Sequence, residues 1–364
     1  MYLAIKEIRK EKRRFLMIIT VTVLIAYLVY FLSSLAYGLA QINRTAIDYW
    51  NADGIILSQA ANGNIYASTI DEKTVTELNY PLAQTITVAS AAIQNNYDDK
   101  PTDVVFIGTE RTSTLVLPEL LEGRPIQQED EAVISSSLTD DMTLKIGDTF
   151  TISATGRAFT VVGISKPADY NTRPVVYVDR FTASQAMMTY QGDTSSSATP
   201  NMPKRVSAIL VSKDTVQSFL ANDQLEYSTL AAFINTLPGY QAQVLTFGLM
   251  IVSLSLIASM IIGIFMYILT MQKKSIFGVL KIQGYQNGYI MRSVVYQAFL
   301  LVSAGLFIGF SLTLLTLFFL PTRVPASISW PLFGAVSGAS LLFSMIGVFF
   351  SARSILKIDP LDAL

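Results

Sequence analysis

Three tyrosines and a serine in the first apolar stretch are the side chains best placed to do chemistry. Wound at about 100° per residue, Tyr27, Tyr30 and Tyr37 fall within a narrow arc that Ser34 shares. A phenol hydroxyl inside an apolar segment requires a hydrogen-bond partner or a ligand. Tyr37 has the depth of an interfacial anchor. Tyr27 and Tyr30 lie nearer the middle and mark a face turned toward protein or toward a substrate. Composition excludes much other chemistry. Cys and His are both absent from the 364 residues, which removes thiol catalysis, disulfides, imidazole bases and Cys/His zinc sites. There is no Gly-x-x-x-x-Gly-Lys-Ser/Thr loop, so the chain does not hydrolyse nucleotide by that route. No carboxylate pair or nucleophile motif stands out from coincidence.

The elements that must hold the tyrosines are set by where charge is missing. The chain is 51% hydrophobic and only 15% charged, against about 25% charged in soluble domains. The charge-free runs are Phe15–Asn43, Tyr227–Gln272, Ser293–Thr322 and Val324–Ala352, each longer than the roughly 20 residues a membrane-spanning helix needs. The first run is too long for the core of a cleaved signal peptide. Four spans follow, at 15–43, 238–272, 293–320 and 330–352, with no Asp, Glu, Lys, Arg or His in the helices trimmed from them near Phe15–Leu39, Gln243–Met271, Val294–Leu320 and Pro331–Ser351. Ion-coupled transport needs ionisable groups at depth, so energy must come from a partner.

Segments 1–14, 273–292 and 353–364 carry twelve basic and four acidic residues, while Arg44–Leu237 carries 13 basic and 23 acidic ones. The positive-inside rule then puts both termini and the 273–292 connection in the cytoplasm of a plasma-membrane protein. The amphipathic segment 1–14 is expected on the inner leaflet, in contact with lipid. The domain at 44–237 lies outside, between the first and second helices, and 321–329 is a short outer loop. That outer domain reads as mixed α/β. Thr149–Ser153 and Phe159–Val162 flank a polar turn at Thr155, Gly156 and Arg157, which predicts a hairpin. Val104–Gly108 and Val175–Val178 are further strands by their β-branched content; Thr74–Leu78 and Asp179–Met188 read as helical, and Gln191–Lys204 as a loop. In the third and fourth helices, Gly305 with Gly309 and Gly334 with Gly338 give a small-xxx-small spacing. Joined by a short loop, these two helices are expected to pack as an antiparallel pair through those glycines, with dimerisation through them as the alternative.

Three segments resemble one family. Lys273–Gly284 is similar to the coupling segment of FtsX-like and MacB-type ABC-transporter permeases, with Ile276 at the position where an acid is common. The tail Ala352–Leu364, with Asp359-Pro360 and Ala363-Leu364, resembles the family's terminal motif. Leu121–Pro125, Ala132–Ser135, Ile146–Asp148 and Val162–Ile164 resemble the family's extracellular core. The resemblance implies a permease without an ATPase site of its own, working as a homodimer with two copies of a separate ATP-binding subunit and with no nucleic-acid partner. The coupling residues would be Ser275, Ile276, Phe277, Gly278, Val279, Leu280, Lys281 and Gly284. A helix there would offer Ile276, Phe277, Val279 and Leu280 to a groove on the ATPase, although it could also lie on lipid.

Within that family the chain is most similar to the haem-exporter permeases of Gram-positive bacteria. Met1–Arg9, Leu35–Leu39, Asp53–Ser58 and Ala61–Asn64 carry this likeness. No cofactor would be bound permanently; haem would be the cargo. Without histidine, its iron would be met by tyrosine or methionine, and Tyr27, Tyr30, Met250 and Met260 have the depth, with Tyr37 on the same stripe. Arg44 could meet a propionate at the outer rim. Methionine is also a common gap-filler in helical cores. Two other functions fit the same architecture: a relay in which moving helices bend the outer domain against an extracellular partner, and an exporter of antimicrobial peptides.

Overall fold

A computed structural model of the chain describes residues 12–78, 84–95, 98–111, 115–183, 205–212, 224–321 and 324–353. The expected loop at Gln191–Lys204, most of the N-terminal segment, the tail beyond Arg353 and the second half of the Asp179–Met188 helix lie outside these residues. Among the described residues, four helices are long and apolar enough to cross a membrane: Phe15–Asp48, Tyr240–Gln272, Asn287–Phe319 and Trp330–Phe350. They belong to α1 (Lys12–Asp48), α5 (Tyr240–Gln272), α7 (Asn287–Phe319) and α8 (Trp330–Ala352). A mixed α/β domain is inserted between α1 and α5. The chain divides into two compact units, one of residues up to Gly38 together with those from Val244 onward, the other Leu39–Gln243.

In the second unit, β1 (Gly54–Ser58), β3 (Gln84–Asn95), β4 (Asp98–Thr109), β5 (Leu120–Gly123), β6 (Glu131–Ser135), β8 (Ala158–Ser165), β10 (Arg173–Asp179), β12 (Ala208–Val211) and β13 (Leu225–Thr229) form a sheet ordered β13-β1-β12-β3-β4-β10-β6-β8-β5. Most neighbours are antiparallel, but β4 with β10 and β6 with β8 run parallel. Both faces are covered, which is why Val104–Ile107 and Val175–Val178 read as unbroken apolar runs. Val105, Ile107, Val175 and Tyr177 enter one core; Val104, Phe106, Val176 and Val178 enter the other. The expected hairpin is β7 (Thr149–Ile152) with β8, closed by Gly156 at φ 69°.

The first core takes in the outer end of α1. Ala46, Ile47 and Trp50 are buried with Phe233, Leu237 and Tyr240, and Trp50 stacks on Phe233 at 6.4 Å between ring centroids. Elsewhere in this unit, Arg124 donates to both carboxylate oxygens of Glu131, which also accepts the backbone N–H groups of Gln127 and Gln128. The Arg124 bonds, with those N–H groups, hold the Glu131 carboxyl down at about 2.

In the membrane unit the glycine expectation is corrected. Gly305 and Gly309 do not face α8; a Cβ at Gly305 would strike the Thr22 side chain, and one at Gly309 would sit 2.7 Å from the Ala26 Cβ. Thr22 and Ala26 are small enough to let the α1 backbone approach α7. Gly334 and Gly338 have nothing within 4 Å of the Cβ position. Helices α7 and α8 do touch, through Phe310 and Phe333 at 5.8 Å. Glycine closeness recurs between α5 and α8, where a Cβ at Gly263 would lie 3.6 Å from Gly347. At the outer end Ser34 and Ser327 exchange two hydrogen bonds, and Gly38 lies directly under the Pro325 carbonyl.

Candidate functional site

One turn of α1 separates two tyrosines with opposite surroundings. Tyr27 is half-buried, stacks on Phe31 at 5.9 Å, and its hydroxyl is 3.2 Å from Thr316 Oγ1 on α7. It lines an open groove of about 280 Å³ with Val23, Leu24, Leu312, Leu315 and Thr316. Apart from the Tyr27 and Thr316 hydroxyls, this groove offers only hydrocarbon. Tyr30 is 2% exposed, wedged between Phe310 and Phe333, with its hydroxyl 2.6 Å from Ser337 Oγ on α8. The expectation that Tyr30 meets a cargo is therefore corrected: its ring and hydroxyl are both consumed by helix packing. Thr316 and Ser337 went unrecognised in the sequence, because each is one hydroxyl among many in an apolar helix.

The remaining candidates are dispersed. Tyr37 is half-buried. Met250 and Met260 are 46% and 70% exposed on α5; ten residues of helix separate them by about 15 Å, too far to ligate one iron. Arg44 is engaged within the outer unit, with Nε 2.9 Å from Asp48 Oδ2 and Nη1 3.5 Å from the Tyr240 hydroxyl. No cluster of three or more Asp or Glu side chains that could hold a metal is found among the described residues.

The second candidate surface is α6 (Lys274–Ile282), a nine-residue helix after Lys273. Its apolar residues divide between two faces. Ile276, Val279 and Ile282 are 49%, 45% and 54% exposed. Phe277 is 2% exposed, Gly278 is buried, and Leu280 packs beside Phe277 in a core that includes Phe15, Met266, Val294 and Val348. Phe277 and Leu280, expected as anchors for a partner, are thus turned into the bundle. Ile282 takes their place at the surface, on the i, i+3, i+6 spacing. Ser275 and Gly284 are exposed, Lys281 is half-buried, and Gly284 turns the chain at φ 90° toward the exposed, mutually packed rings of Tyr285 and Tyr289. At the other end of α6, the Lys273 ammonium lies 5.3 Å from the centre of the Phe15 ring, a cation–π contact that ties the start of α6 to α1.

Comparison with known proteins agrees with this architecture. The MacB-like periplasmic core domain profile matches residues 15–226, and the FtsX-like permease C-terminal profile matches residues 248–360. A protein of Staphylococcus haemolyticus named as hemin transport system permease protein HrtB is 24% identical over 100% of this chain and 99% of its own length. Its namesake in Staphylococcus epidermidis is also 24% identical, with the same coverage. The crystal structure of the periplasmic region of MacB from Actinobacillus actinomycetemcomitans aligns at 13% identity and a TM-score of 0.37, covering 54% of this chain and 97% of that one. With four apolar helices, an α/β domain inserted after the first and a family match over more than half its length, this chain belongs to the FtsX-like, MacB-type family of ABC-transporter permeases.

Proposed function

We propose that this permease expels haem, or an amphiphile of similar shape, from the plasma membrane as a homodimer driven by two copies of a separate ATP-binding subunit. The termini and α6 face the cytoplasm and the outer domain is extracellular, as the charge distribution favours. The ATPase grips Ile276, Val279 and Ile282, the residues of α6 left outward, and the trimmed spans hold no ionisable side chain that would couple transport to an ion gradient. Haem is a flat apolar ring with two carboxylates, and a lipid-facing groove suits its ring.

Tyr27 carries the cargo reading: a phenol at mid-span on an open apolar groove, in a chain without histidine, where tyrosine is an established type of haem ligand. The two staphylococcal relatives named for hemin transport support the same reading. The test is a pair of variants in the permease–ATPase complex. Tyr27→Phe should shift the Soret band of haem-loaded protein and lower haem tolerance several-fold, whereas Tyr30→Phe should leave both in place. Unchanged spectra and tolerance for Tyr27→Phe would remove the ligand, and haem tolerance unaffected by deleting the whole permease would remove the cargo.

A further inference from the structure

The outer end of α1 is held to the α/β domain by backbone groups in an unusual conformation. Strand β9 (Asp169–Tyr170) pairs with β10 so that Tyr170 faces Arg173, leaving Asn171 and Thr172 as a two-residue hairpin loop. Both have positive φ, 50° and 67°, the geometry of a type I′ turn, whose second position favours glycine. A β-branched residue there is a genuine backbone outlier. Such conformations persist only where their surroundings over-determine them. The surroundings are α1: the Asn171 N–H donates to the Asn43 carbonyl at 2.9 Å and the Thr172 N–H to the Ile42 carbonyl at 3.1 Å. A helix carbonyl has a second lone pair, so both can accept without leaving the helical ladder.

Two further contacts complete the grip. The Asp169 N–H donates to Thr45 Oγ1 at 2.9 Å, while the Thr45 hydroxyl lies 3.3 Å from the Asp169 carbonyl. Asn43 also donates from Nδ2 to Gln243 Oε1 of α5 at 3.2 Å, so a residue gripped by the hairpin also helps to join α1 to α5.

We infer that the Asn171–Thr172 hairpin tip is a backbone clamp that stays closed throughout the transport cycle, so that the outer end of α1 carries the α/β domain with it as one body. The inference builds on the proposed ATP-driven function. Its test uses the full permease–ATPase complex in vesicles, with Ile42→Cys and Asn171→Cys introduced into a chain that has no other cysteine and bridged by a short bis-thiol reagent. Bridging should proceed at the same rate, within about twofold, with no nucleotide and with ATP plus vanadate, and the bridged complex should keep its ATPase and haem-export rates. A tenfold nucleotide dependence of bridging, or export lost with ATPase intact, would overturn the clamp. A second variant, Thr172→Gly, keeps both donors and should leave export unchanged; export lost at normal expression would also overturn it. A complex with no cargo-dependent ATPase at all would sink the proposed function instead, and bridging without nucleotide would still report whether the clamp forms.

Discussion

Gly305 and Gly309 on α7 and Gly334 and Gly338 on α8 share one spacing and have opposite surroundings: α1 closes over the first pair, and the second faces open space. The spacing permits close approach, but the small residues Thr22 and Ala26 on the opposing helix decide where it happens. The two tyrosines repeat the lesson within one helix, Tyr30 sealed by α8 and Tyr27 left on a groove beside α7.

The largest effect should come from filling the closed pair. Gly309→Leu forces a Cβ against backbone, with Tyr27 N at 3.0 Å and Val23 O at 3.1 Å, and should cost about 1–3 kcal/mol, read as a fall in Tm in detergent. Next is the outer unit, where an ion pair adds to two packed cores. Glu131→Gln removes the charge-assisted bonds from Arg124 and should cost about 1–2 kcal/mol at neutral pH. Because the folded Glu131 carboxyl titrates at about 2, below its unfolded value of about 4.3, its contribution is full above the unfolded value and is lost as pH falls through about 2. Denaturant melts at pH 7 and pH 3 should therefore show the variant's deficit shrinking in acid. Tyr30→Phe should cost about 0.6 kcal/mol, the usual worth of a hydrogen bond between membrane helices, and Tyr27→Phe less. Smallest, Gly334→Leu and Gly338→Leu should each change stability by no more than about 0.5 kcal/mol. A larger loss there would show that a second chain covers them.

The four spans were legible because charge is excluded from hydrocarbon, and the β7–β8 hairpin was legible because its turn residues have a mechanism. Directions were harder to read. Phe277 and Ile276 are adjacent apolar residues, and only the position of α6 against the other helices decides that the first is buried and the second exposed. The fate of Tyr30 depends on Ser337, 307 positions away. The clamp was hidden for a different reason: its donors are backbone N–H groups, which every non-proline residue carries. The charge-based boundary at Asn43 could not show that α1 continues to Asp48, with Arg44 and Asp48 paired one turn apart along its surface.

The burial of Phe277 sets how force can enter the bundle. Lifting α6 away from the helices would expose that ring to water at roughly 1.5–3 kcal/mol, so under the proposed function a modest pull on Ile276, Val279 and Ile282 should pass to the surrounding helices before α6 detaches from them. Under the proposed function the ring works as a rivet, and a smaller side chain at position 277 should leave a connector that slips while the ATPase keeps turning over.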